Sequence, residues 1–166
     1  MNAISRGVLA LDRVATGLAS VAACLALAVA VFAGGWQVIS RFATESPAIW
    51  SEALVRTALI WMALLGLAAA LRGGALVSID VMHRLSRGRV RRALETLALL
   101  SNLVLMAVLF WHGWIMAQRV SFQEMAGLEV SISWGYAAIP VGAAFAAIGA
   151  LAHWIDGRSE TLEAAV

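Results

Sequence analysis

Lysine is absent from this sequence, and all 12 basic residues are arginine. Acidic residues number 10, proline occurs twice, and cysteine and tyrosine occur once each. Only 13% of the residues are charged, about half the share of a soluble domain. So little charge excludes an ordinary water-soluble globule. The single cysteine, Cys24, cannot close an internal disulfide, which excludes the quinone-linked four-helix thiol oxidases. Val21-Ala22-Ala23-Cys24 is similar to a lipoprotein cleavage box. However, the apolar run continues for over ten residues past Cys24, whereas a signal peptide gives way to a polar mature chain. A retained first helix is therefore expected.

What is present is apolar sequence in long blocks. Hydrophobic residues make up 62% of the chain, and mean hydropathy is +0.86. A helix needs about 20 mostly apolar residues to cross the hydrocarbon core of a bilayer. Three runs carry no Asp, Glu, Lys or Arg over that length: Val14–Ser40, Thr96–Gln118 and Val130–Ile155. A fourth, Thr57–Leu71, is long enough only if its helix begins near Pro47 and carries Glu52 and Arg56 at its mouth. The fold class expected is all-α integral membrane, with four transmembrane helices at about 14–40, 47–72, 93–118 and 131–155. Residues 1–166 then form a single four-helix membrane domain. Ser46-Pro47 reads as N-cap and first position of the second span, and Gly73-Gly74 as its stop. Residues 75–86 alternate polar and apolar side chains and read as a short interfacial amphipathic helix, with Asp80, His83 and Arg84 toward water. Residues 119–130 are too polar to cross and form a connection.

A pI near 9.5 would suit a nucleic-acid binder, but the arginines sort by membrane side. With the N-terminus inside, nine arginines fall on the cytoplasmic side (Arg6, Arg13, Arg72, Arg84, Arg87, Arg89, Arg91, Arg92, Arg158). Three fall outside (Arg41, Arg56, Arg119), as the positive-inside rule requires. Both termini are expected in the cytoplasm, and no nucleic-acid partner is expected. Trp36, Trp50, Trp111, Trp114, Trp134 and Tyr136 then lie toward the outer helix ends, where amphipathic rings favour the headgroups. Trp61 alone lies well inside a span.

Membrane helices associate through close backbone approach. Small residues recur every fourth position in the first span (Ala22, Ala26, Ala30, Gly34), the second (Gly66, Ala70) and the fourth (Ala138, Gly142, Ala146, Ala150). The first and fourth ladders are expected to face other helices. The third span is bulkier, with Leu97, Leu100, Val104, Leu105 and Val108.

Chemistry-bearing residues are few. Glu52 and Arg56 stand one turn apart on one face in the order that favours pairing. They read either as a self-neutralising pair at the headgroups or as a polar anchor for a partner helix. His112 and His153 sit on the order of 20 Å apart in depth and cannot share a haem iron. His112 reads as a hydrogen-bonded packing residue. No acidic residue is expected deep in any span, which speaks against a self-contained proton-coupled exporter. Small multidrug exporters of four helices carry a glutamate in their first span, and this first span has none. Pro140 is expected to kink the fourth span. No catalytic residues, metal site or cofactor are expected.

Trp50-Ser51-Glu52, Arg56, Trp61, Leu65-Gly66, Ala70-Leu71-Arg72 and Ile79-Asp80 together resemble the small membrane subunit of tripartite ATP-independent periplasmic (TRAP) transporters. Ile132-Ser133-Trp134-Gly135-Tyr136 and Pro140-Val141-Gly142 resemble the fourth-helix signature of the same family. The resemblance runs from about residue 14 to 155. Ala53 replaces a frequent second acid and Leu76 a frequent histidine, so neither position bears an obligatory ionic role here. The resemblance implies a non-catalytic scaffold in the bacterial inner membrane. Its partners would be a large elevator-type membrane subunit, membrane lipid and a periplasmic substrate-binding protein. An ion gradient, sodium in the family, would drive uptake of a carboxylate-type solute. Interface candidates are Trp50, Glu52, Arg56, Trp61, Arg72, Asp80, Trp134, Tyr136 and Pro140, with Asp80 and Arg72 fixing the interfacial helix. The alternative from another class is a membrane anchor of a redox complex, holding haem or quinone.

Overall fold

A computed structural model describes residues 3–43, 48–73 and 89–163. Side chains are described for residues 11–155 within those stretches, apart from positions 89, 91, 92 and 95. Five helices are present among them: α1 (Ala3–Ala43), α2 (Ile49–Arg72), α3 (Arg89–Arg119), α4 (Ser133–Tyr136) and α5 (Ala138–Glu163). Four stretches, Leu11–Ala43, Ile49–Arg72, Thr96–Arg119 and Ser133–Ile155, are long and apolar enough to cross a membrane. The expected interfacial helix at 75–86, with Asp80, lies outside the described residues.

The spans stand side by side in a row. α1 packs on α2, α2 on α5 and α5 on α3, with α1 also touching α5. The reason lies in where the small residues fall. In α5, Ala138, Gly142, Ala146 and Ala150 are all buried, as the fourth-position ladder requires. A Cβ on Gly142 would stand 2.7 Å from the Leu64 Cβ and 3.2 Å from its carbonyl oxygen, so α2 and α5 touch backbone to backbone. Gly149 repeats this two turns on, where a Cβ would stand 3.1 Å from the Ala68 carbonyl. On the other side of α5, a Cβ on Gly113 of α3 would strike Ile139 at 2.7 Å and Pro140 at 3.0 Å.

Two expectations need correction. In α1 the buried line is Asp12, Ala15, Ala19, Ala23, Ala30 and Ala33, whereas Ala22 is exposed. A seam between two long helices repeats every 3.5 residues and not every 4, so a strict fourth-position ladder drifts off it. In α2, Ala70 is exposed and nothing approaches Gly66, whereas Ala58, Leu65, Ala68 and Leu71 are buried. The second helix also starts later than Pro47. Ala48 occupies its N-cap without a side-chain cap, and the Ser51 hydroxyl donates back to the Ala48 carbonyl at 2.6 Å. Its stop is as expected, with Gly73 following Arg72 and donating its N–H to the Ala69 carbonyl.

The fourth span is interrupted at Ala137, between α4 and α5. Pro140 lacks the N–H that would reach the Tyr136 carbonyl, and its ring crowds that carbonyl, so the helix restarts with the proline in its first turn.

Candidate functional site

Each end of the row carries one polar cluster. At the Arg72 end, α1 extends toward its N-terminus past the charge-free run and brings Asp12 into the packed seam. The Asp12 carboxylate is 1% exposed, more buried than any other charged group described. Arg72, at the last turn of α2, donates its Nε–H to Asp12 Oδ2 at 2.5 Å. Thr16, one turn along α1, donates to Asp12 Oδ1 at 3.1 Å. Both carboxylate oxygens are therefore met, which a buried charge requires. Sequence reasoning missed Asp12 because it sits just outside the charge-free run. The available signal was its spacing, on the same face as Ala15, Ala19 and Ala23. Arg72, expected together with Asp80 to fix the interfacial helix, pairs with Asp12, while Asp80 lies outside the described residues.

At the opposite end, the connection 120–132 folds into a short hairpin-like loop. Met125 N–H donates to the Val130 carbonyl and Ile132 N–H to the Gln123 carbonyl, both at 2.8 Å. The turn places Gly127 at φ +85°, where its Cα hydrogens lie against the start of α2. A side chain there would stand 2.9 Å from the Trp50 backbone nitrogen. Met125 reaches between the spans, and its sulfur lies 3.4 Å from the Thr57 hydroxyl.

The sequence-chosen residues divide between these places. Trp61 and Trp134 are brought together, since the Trp61 indole N–H donates to the Trp134 carbonyl at 3.0 Å. That carbonyl lies just before the helix interruption, so the indole satisfies a backbone acceptor at the break. The Trp50 backbone lies against Gly127 of the loop, apart from that pair, and Pro140 packs against Gly113. Tyr136 is exposed on the last turn of α4. Glu52 and Arg56 pair at 2.9 Å and are both largely exposed. Such a pair contributes little to folding, and nothing else among the described residues is shown to fix its place. Phe122, at 93% exposure, marks the loop as open on the side away from α2.

His112 is exposed on α3, with Nδ1 3.1 Å from the Val108 carbonyl of its own helix, and so does not pack against another span. His153 is exposed on α5 near the opposite end of the row. The described residues hold no group of three His, Cys, Asp or Glu side chains disposed around one point. An open groove of about 750 Å³ runs between α3 and α5, lined by Phe110, Trp114, Ala117, Pro140, Val141 and Phe145.

A family model described as tripartite ATP-independent periplasmic transporters, DctQ component, matches residues 30–159. The chain is 31% identical over 110 residues to the sialic acid TRAP transporter small permease protein SiaQ of Vibrio cholerae. That match covers 66% of this chain and 64% of the relative. It is also 30% identical over 105 residues to the sialic acid TRAP transporter permease protein SiaT of Haemophilus influenzae, covering 63% of this chain and 17% of that one. This chain therefore matches less than two thirds of the length of either relative.

Proposed function

Since this chain belongs to the DctQ component family of tripartite ATP-independent periplasmic transporters, and is a multi-pass inner-membrane protein of that family, we propose that it is the small permease subunit scaffolding a large membrane subunit. The large subunit would carry the solute through an elevator-type motion, driven by an ion gradient, most simply sodium. A periplasmic binding protein would deliver the solute. The relatives are named for sialic acid, a sugar carboxylate, so a carboxylate-type solute is the expected class.

One observation carries this reading. The spans form an open row, and Asp12, the charged group buried deepest, is spent on bracing α1 to α2. A membrane protein that moved a polar solute by itself would place ionisable groups toward a cavity between its helices. Here the exposed faces are largely apolar, which suits contact with lipid and with a larger neighbour. The match to SiaT supports the same partner, because there the similar segment is 17% of one chain and is covalently joined to a far longer remainder.

With both termini cytoplasmic, the Arg72 end faces the cytoplasm and loop 120–132 faces the periplasm. The loop, Trp50 and the Glu52–Arg56 pair then present a surface to the binding protein and the large subunit. A cysteine introduced at Ser86 should resist a membrane-impermeant thiol reagent in intact spheroplasts, and one at Gln123 should react. The reverse pattern would overturn the orientation.

The functional reading is tested by purifying the chain with its cognate large subunit and reconstituting both in liposomes with the binding protein. Solute uptake is expected only with both membrane chains and an imposed sodium gradient. Uptake by this chain alone, or undiminished uptake by the large subunit without it, would refute the assignment.

A further inference from the structure

Helix α3 is the end member of the row and packs against α4 and α5. Its α5-facing line runs through Met106, Gly113 and Ala117, all buried. The groove lined by Phe110 and Trp114 lies on one flank of that line. The other flank is a different surface. Ser101, Leu105, Val108 and His112 follow one another at helical spacing along it and are all exposed, with half-buried Asn102 and Leu109 between them and α5.

Three of these side chains are polar, and all lie inside the membrane-spanning stretch Thr96–Arg119. Neither the Ser101 hydroxyl nor the Asn102 amide makes a side-chain hydrogen bond among the described residues. His112 places Nδ1 3.1 Å from the Val108 carbonyl, which leaves Nε2 on the exposed face without a partner among the described residues. Several polar side chains elsewhere in the spans are satisfied internally: Thr16 on Asp12, Ser20 on Thr16, Thr57 on Ala53 and Trp61 on Trp134. Hydrocarbon tails neither donate nor accept hydrogen bonds, so polar groups left open in them are costly. Asn102 and His112 stand on the order of 15 Å apart along the helix axis, too far for one lipid headgroup to serve both.

We infer that this flank of α3 receives a transmembrane helix of the large membrane subunit. That helix pairs with Asn102 and Ser101 toward the Arg72 end and shares a hydrogen bond with His112 Nε2 toward the loop end. The inference rests on the reading given under Proposed function. A helix of the large subunit is favoured over a second copy of this chain by the single-chain relative. There one such segment is tethered to one long remainder, whose helices are at high effective concentration beside it.

The test uses the chain co-expressed with its cognate large subunit, as wild type, as Ser101→Ala with Asn102→Leu, as His112→Leu, and as Phe110→Leu on the groove flank. Co-purification of the large subunit should persist for wild type and Phe110→Leu. It should fall roughly tenfold for the double variant and less for His112→Leu, in keeping with interhelical hydrogen bonds in lipid. The isolated double variant should unfold no lower than wild type, since it removes open polar groups from the lipid face. Undiminished co-purification by both variants, with wild type bound, would overturn the inference and leave the scaffold reading standing. A clear drop in the unfolding temperature of the isolated double variant would also overturn it, by making Asn102 an internal brace. Loss of self-association with the large subunit still held would assign the flank to a second copy instead. Failure of wild type itself to bind the large subunit would sink the scaffold reading, and this inference with it.

Discussion

Asp12 carries a full charge at a seam otherwise made of alanine, and its neighbours explain why it is tolerated. Arg72 and Thr16 occupy its two oxygens. Removing one member of such a pair strands the other, which costs about 3 kcal/mol or more, whereas removing both together is often nearly neutral. Arg72→Leu should therefore lower the unfolding temperature in detergent markedly, and Asp12→Leu/Arg72→Leu should recover most of the loss. A double variant as unstable as the single one would show that the arginine acts elsewhere. Gly142 is the steric counterpart. A valine there meets the Leu64 backbone, which cannot swing aside, so Gly142→Val should cost about 1–3 kcal/mol. Unchanged thermal unfolding of that variant would contradict the close α2–α5 approach. The α5 ladder was legible in the sequence because its small residues recur at helical spacing within one helix. The Asp12–Arg72 pair was not, since it joins positions 60 apart and only the tertiary fold reveals which two ends meet.

At the scale of elements, the sequence marked where helices cross but not how they end. Charge-free runs located each span because lipid tolerates so little else. The interruption at Ala137 follows from Pro140, and its open carbonyl is met from across the row. Pro140 announced a disturbance in the fourth span, yet its consequence is a fresh helix start with the Trp134 carbonyl taken by Trp61. Trp61→Phe keeps the ring and loses that hydrogen bond, a loss of about 1 kcal/mol. Amide exchange at Ala138 and Ile139 should quicken in that variant while exchange in α1 stays as it was. Loop 120–132 depends on Gly127 in the left-handed region, where a β-carbon adds about 1–2 kcal/mol as well as crowding Trp50. Gly127→Val should loosen the loop from α2, seen as faster protease cleavage between 120 and 132. Equal cleavage rates would place the loop's anchor at Met125 instead.

For the molecule as a whole, the resemblance carried by Trp50, Glu52, Arg56, Trp61 and the Trp134–Gly142 stretch led to the same family as the matched region 30–159. The interface role proposed for those residues would rest on contacts with other chains, which a single sequence does not encode beyond leaving polar groups open. The described polar contacts also set how the row can respond to force. Asp12 and Arg72 fix α1 against α2 at one end, while Trp61 and Gly127 hold α2 to the fourth span and the loop at the other. Displacing α1 along its neighbour by a single turn, about 5.4 Å, would drag a carboxylate away from its guanidinium into hydrocarbon. Lateral thrust on α1 is thus met by stiffness and not by slippage.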